Sequence, residues 1–294
     1  MAPIPPTGVS LITVLGYIRY NSSYHFYYVM SIINKIRTGL NNYIELYLHR
    51  RQPVIVYTPG RVGSMSMIYA LKKARVFAIK VERLENENWG SVRFCRNHII
   101  KKNRSAKIVT LIRDPLEILI SLFFSKAHRG HLPKAHNALL KNDLDGLQEA
   151  FVEELLNDYY LTEYVYWFEN EFQPHTGIDI FNHTFNPSTG YEIVNHNTYP
   201  TLILRTDLTN ETKEEHIKNF LGLEEFKLNN LNTKSKSQYG DIYKQFQSRL
   251  KLEPKWINKI YNSNYAQHFF LPEEIQKNKL QYLKIQQTIS HLEK

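Results

Sequence analysis

Four short apolar runs constrain this chain most: PVIVYT (Pro53–Thr58), VFAIKVE (Val76–Glu82), AKIVTLI (Ala106–Ile112) and TLILRT (Thr201–Thr206). They are rich in β-branched residues and lack the apolar–polar alternation of a strand with one wet face, so they read as strands buried on both sides. Between them lie stretches with helical spacing: SMSMIYALKKA from Ser64, the basic WGSVRFCRNHIIKKN, and DPLEILISLFFSKAHR. In the last, Asp114 is placed to cap a helix and Pro115 to occupy its first turn. This alternation predicts an α/β fold, a three-layer sandwich around a central, mainly parallel sheet. Residues 135–173 and the C-terminal third read as helical. Gly177–Asn197 reads as a hairpin turning near Pro187–Gly190.

With no convincing linker, residues 51–294 read as one domain and residues 1–50 as a variable, partly helical extension. The apolar run Gly8–Ile18 is far shorter than the roughly 20 residues a membrane span needs, and no basic segment precedes it. A cytoplasmic protein without stable membrane insertion is expected. Cys95, the single cysteine, excludes an internal disulfide and suits a reducing compartment. The formal charge of +9 favours anionic partners without saying which.

The chemistry concentrates where the first strand ends. In VIVYTPGRVGSMSM, a glycine-containing turn leads straight into a helix, placing backbone N–H groups and a helix N-terminus at one point. That is a cradle for phosphate or sulfate. The ATP-binding version of this loop is G-x-x-x-x-G-K-[ST]. Here Gly60 and Gly63 are three apart, Ser64 and Met65 follow, and the cation is Arg61 inside the loop. A second signal is LIRDPLEILISLFF, which sets Arg113 at a strand end and Ser121 two turns into the next helix. A guanidinium fork and a hydroxyl suit a phosphomonoester.

These two segments, in their order and spacing, resemble the cofactor signatures of sulfotransferases that use 3′-phosphoadenosine 5′-phosphosulfate (PAPS). The resemblance covers residues 53 to about 275. It implies a P-loop-like sulfotransferase fold. It also implies that Gly60, Arg61, Val62, Gly63, Ser64, Met65 and Ser66 hold the 5′-phosphosulfate, and that Arg113 and Ser121 hold the 3′-phosphate. LILRTDL resembles another family strand end. YWFENEFQPHTGIDIFNHTF is similar to a bacterial branch named for capsular polysaccharide synthesis. The departures are Val62 in place of a small polar residue, and Ser66 where cytosolic relatives carry an adenine-stacking tryptophan.

The resemblance implies transfer of a sulfuryl group from PAPS to a hydroxyl or amine of a carbohydrate or small-molecule acceptor, without a metal. Arg61 would stabilise the leaving phosphate. For the general base, Glu82 after the second strand is the leading choice, with His98 and His128 as alternatives. Lys234 and Lys236 in NTKSKSQY either close over the cofactor or form a solvated charge run. The acceptor pocket is expected from the aromatic-rich stretch Phe123–Asn197, with Trp167 and Phe168 read as core. Two rival readings stand beside this one. One is an ATP-dependent kinase, which lacks its lysine. The other is a basic binder of nucleic acid or membrane surface, whose clusters KKNRSAK, YLHRRQ and KSKSQY are dispersed along the chain and carry no nucleic-acid-binding signature.

Overall fold

The computed structural model describes residues 37–85, 90–229 and 239–283. At its centre is a five-stranded sheet in the order β2-β1-β3-β5-β4. β1 is Val54–Tyr57, β2 Ala78–Val81, β3 Lys107–Ile112, β4 Tyr191–Val194 and β5 Thr201–Arg205. The first three strands and β5 run parallel, with Val56 opposite both Lys80 and Val109, and Leu111 opposite Leu204. β4 lies antiparallel on the edge, Ile193 facing Leu202. Every residue of β1 and β5 is buried, as their unalternating apolar runs require.

The expected hairpin is corrected. Among the described residues no upstream strand pairs with β4; its partner is β5. The first half of the segment closes instead into a 3₁₀ turn, Ile180–Asn182, because the Asp179 carboxylate accepts from Phe181 N at 3.1 Å and from Asn182 Nδ2 at 2.8 Å. A side chain that bonds its own backbone two residues on competes directly with strand pairing. Ile178, Ile180 and Phe185 are thereby turned into the core.

Helices cover the sheet. The helix Ser64–Lys73 leaves β1 and buries Met67, Ile68, Ala70 and Leu71. The helix Pro115–His128 leaves β3; its N-cap Asp114 accepts from Glu117 N, Pro115 sits in the first turn, and ten of its residues are buried. Its Phe123 and Phe124 pack with Phe246 of the helix Gly240–Arg249 at centroid distances of 5.5 and 5.2 Å. Trp167, Phe168, Phe172, Tyr265 and Phe269 form a second aromatic cluster. Each buried ring contributes about 1.5–3 kcal/mol, plus roughly 0.5–1.5 kcal/mol for a well-set aromatic pair.

Strand order positions the site. From β1 the chain turns toward β2, then crosses back over β1 to reach β3, and from there moves on toward β5. The loops after β1 and β3 therefore diverge, opening a crevice at the carboxyl ends of these two neighbours, the place where open α/β sheets bind ligands.

Candidate active site at the carboxyl edge of the sheet

Residues 58–63 join β1 to the helix Ser64–Lys73 with three left-handed residues, Gly60 (φ 47°), Arg61 (φ 62°) and Gly63 (φ 82°). Gly60 N donates to the Thr58 carbonyl at 2.9 Å, tightening the turn. Gly63 is the N-cap and supplies no capping side chain. Tight turns with left-handed residues form concavities of backbone N–H groups that suit anions, and the helix end adds its positive pole. Arg61, a non-glycine in the left-handed region, carries strain of about 1–2 kcal/mol.

Arg113 locks this loop to β3. Its Nη1 donates to the Arg61 carbonyl at 3.1 Å, while Nε and Nη2 both donate to Glu117 Oε2 at 2.9 and 2.8 Å. The Tyr265 hydroxyl accepts from Arg113 N at 3.1 Å and donates to Arg113 O at 2.9 Å, fixing the backbone as well. Burial disfavours the guanidinium charge, but the Glu117 carboxylate outweighs it and raises the pKa above the ordinary value. Around these groups lies a cleft of about 390 Å³ lined by Val62, Gly63, Ser66, Met67, Arg113, Glu117, Asp207 and Lys213, among others. Lys213 Nζ donates to the Thr206 carbonyl at 3.1 Å, and burial lowers its pKa against the pull of Asp207.

Glu82 directly follows β2, and its carboxylate lies over the loop: a Cβ added to Gly60 would stand 3.1 Å from Glu82 Oε2. Lys80 Nζ holds that carboxylate at 2.6 Å, and Trp167 Nε1 donates to the Glu82 carbonyl at 2.8 Å. The Tyr164 phenol is pushed up to about 12 by burial and by the Glu82 carboxylate, with Arg61 pulling the other way, so a hydroxyl sits within electrostatic reach of both residues. Behind them the buried Glu171 carboxylate accepts from the Tyr57 hydroxyl at 2.6 Å and from Leu84 N at 2.7 Å. This pins the segment that carries Glu82. Sulfur, phosphorus or carbonyl chemistry at this edge would thus meet an anion cradle, a clamped arginine and a half-exposed carboxylate.

Val62, Gly63 and Arg113 line the cleft; Gly60 and Arg61 stand in the same loop outside that lining, Arg61 bonded to Arg113 through its carbonyl and Gly60 under the Glu82 carboxylate. Ser66 lines the cleft; Ser64 is buried beside it and Met65 is exposed. Ser121 is 2% exposed within its helix and is not among the cleft-lining residues. Of the alternative bases, His98 is held through Nε2 and Nδ1 by the hydroxyls of Tyr43 and Tyr47, each at 3.0 Å. His128 lies beside Tyr239, 5.0 Å between ring centroids. Trp167 and Phe168 are core, and the Cys95 thiol is buried and pushed up to about 12. Lys234 and Lys236 lie outside the described residues. Sequence reading missed Glu117, Tyr164, Glu171, Asp207 and Lys213. Glu117 was findable, four positions after Arg113 on a helix; Tyr164 and Glu171 reach the site only through long-range packing.

Among the described residues no helix is long and apolar enough to cross a membrane, and no group of three or more His, Cys, Asp or Glu is set to hold a metal. Residues 140–271 match the model of a family described as "Putative capsular polysaccharide synthesis protein". The matched segment contains Tyr164, Glu171 and Asp207 but begins after the Gly60–Ser66 loop and Arg113. No curated protein and no solved structure matches the chain.

Proposed function

We propose that residues 51–294 form one sulfotransferase domain of P-loop-like fold that moves a sulfuryl group from PAPS to a hydroxyl or amine of a glycan acceptor. The observation that carries this reading is the hydrogen bond from Arg113 to the Arg61 carbonyl, because it joins the two nucleotide signatures into one built site at the sheet's switch point. The glycan acceptor rests on the family-model match.

In this reading the backbone of Gly60 to Ser66 binds the 5′-phosphosulfate and Arg113 serves the 3′-phosphate, with Ser121, buried in its helix outside the cleft lining, not reaching it; Lys234 and Lys236 are proposed as further contacts. Glu82 takes the proton of the acceptor as the new O–S or N–S bond forms and the bond from sulfur to the phosphate oxygen breaks. Arg61 stabilises the charge left on that oxygen. Little covalent work falls to the protein, so positioning and fixed charge supply the acceleration.

Thermal unfolding with 3′-phosphoadenosine 5′-phosphate, and separately with ATP and magnesium, tests the reading. At a hundred times its dissociation constant a ligand adds roughly 2.7 kcal/mol. Stabilisation by the 3′-phosphorylated nucleotide alone is expected, followed by labelled sulfate appearing on a glycan acceptor; stabilisation by ATP alone would replace sulfuryl with phosphoryl transfer.

A further inference from the structure

The edge of the sheet opposite the cleft gathers positive charge. β1 is entered through Arg50 and Arg51, β2 through Lys72, Lys73 and Arg75, and β3 through Lys101, Lys102 and Arg104. Because these strands are parallel and adjacent, clusters far apart in sequence must lie side by side at their amino ends. Contacts confirm the juxtaposition: Arg51 Nη1 donates to the Arg75 carbonyl at 3.3 Å, and Gln52 Nε2 to Ser105 Oγ at 3.0 Å. Arg50, Arg51 and Arg104 line one open cavity with Tyr47. Across the three entry segments, residues 45–52, 71–76 and 101–105, the only carboxylate is Glu45, which pairs with His49 and Arg51.

Next to this charge lies an apolar stripe. Leu40, Tyr43, Tyr47 and Leu48 follow helical spacing along residues 37–48 and are 60, 46, 39 and 75% exposed. The opposite face is anchored by Leu46 in the core, and Arg104 stacks over the Tyr47 ring at 5.0 Å. Cations alone would suit any polyanion. Exposed leucines beside them, with the half-exposed rings of Tyr43 and Tyr47 tied to His98 through their hydroxyls, suit a surface with anionic headgroups above an apolar layer, where arginine stems sit at the boundary.

We propose that this edge docks the protein on the surface of an anionic phospholipid bilayer. The three strands span about 13–20 Å, and because the edge and the cleft lie at their opposite ends, docking by the amino ends leaves the cleft facing solvent, open to nucleotide and acceptor.

The test is flotation of the full chain with vesicles of phosphatidylcholine alone and with about a third phosphatidylserine. Binding to the anionic vesicles only, weakened by salt, is expected. Arg50→Gln combined with Lys101→Gln and Lys102→Gln should weaken it ~100-fold, at about 1 kcal/mol for each basic residue near the surface. Leu40→Ser with Leu48→Ser should weaken it about tenfold with an unchanged Tm. All variants should keep their stabilisation by nucleotide, which separates this surface from the cleft. Equal binding to both vesicle types would overturn the proposal. So would a leucine variant that unfolds earlier yet binds vesicles normally, since the stripe would then be covered by the chain itself. Tighter binding to RNA or an acidic polysaccharide, indifferent to the leucines, would make the edge a polyanion site instead.

Discussion

Arg113 Nη1 lies 3.1 Å from the carbonyl oxygen of Arg61, a hydrogen bond across 52 positions of chain that ties the loop after β1 to the end of β3. The same guanidinium gives its remaining fork to Glu117. A lysine offers a point charge without that fork. Arg113→Ala should cost about 1–3 kcal/mol of stability and abolish stabilisation by 3′-phosphoadenosine 5′-phosphate; Arg113→Lys should recover little of either. Thermal unfolding of both variants with and without the nucleotide decides this, and full rescue by lysine would show that charge alone suffices.

Gly60 and Gly63 both sit in the left-handed region, yet their surroundings differ. A Cβ at Gly60 would press on the Glu82 carboxylate at 3.1 Å, whereas one at Gly63 meets no atom within 4 Å and stands at the cleft. Either alanine should cost roughly 1–2 kcal/mol of backbone strain. Gly60→Ala should then lower kcat by displacing Glu82, and Gly63→Ala should raise the KM for the nucleotide. Steady-state kinetics on the two variants reads the split directly.

Glu82→Gln keeps the shape and removes the basic oxygen. The ion pair with Lys80 is 43% exposed on the glutamate side, so its loss should change stability by less than about 1 kcal/mol. Turnover should fall about 10²–10⁴-fold with the nucleotide's thermal shift intact. A variant with near-normal turnover would remove Glu82 from the mechanism and direct attention to Tyr164.

Removing the Glu171 side chain leaves buried Leu84 N without its acceptor and the Tyr57 hydroxyl with only the longer bond, 3.3 Å, to the Glu171 backbone carbonyl. Glu171→Ala should therefore destabilise by roughly 2–5 kcal/mol, measurable by denaturant unfolding. Its added effect on turnover would report how firmly Leu84 positions Glu82 two residues away.

Burial raises the Asp114 carboxyl to about 6 from an ordinary 3.8, even though Tyr261, Asn278 and Glu117 N all donate to it. The folded chain holds this proton more tightly than the unfolded one. The group's contribution is fully present below about pH 3.8 and lost as pH rises through about 6. Asp114→Asn should flatten that fall, worth on the order of 1–3 kcal/mol. Denaturant unfolding from about pH 4 to 7 checks it; identical slopes in the two proteins would place the titration elsewhere.

The sequence by itself determined β1, β2, β3 and β5, the Asp114 cap and the loop from Gly60 to Ser66, because β-branched runs, capping chemistry and glycine punctuation act within a few residues. It also carried Glu82 to the end of β2. Only the tertiary structure decided that β4 pairs with β5, that Arg113 reaches the Arg61 carbonyl, and that Glu82 rests on Gly60 with Tyr164 nearby. Each of those depends on contacts between segments far apart in the chain, set by strand order and by which turn wins a local hydrogen-bond competition. The basic clusters show this most plainly. YLHRRQ and KKNRSAK are dispersed in sequence, yet parallel pairing of β1 with β3 places them together at one edge, a proximity no local pattern encodes.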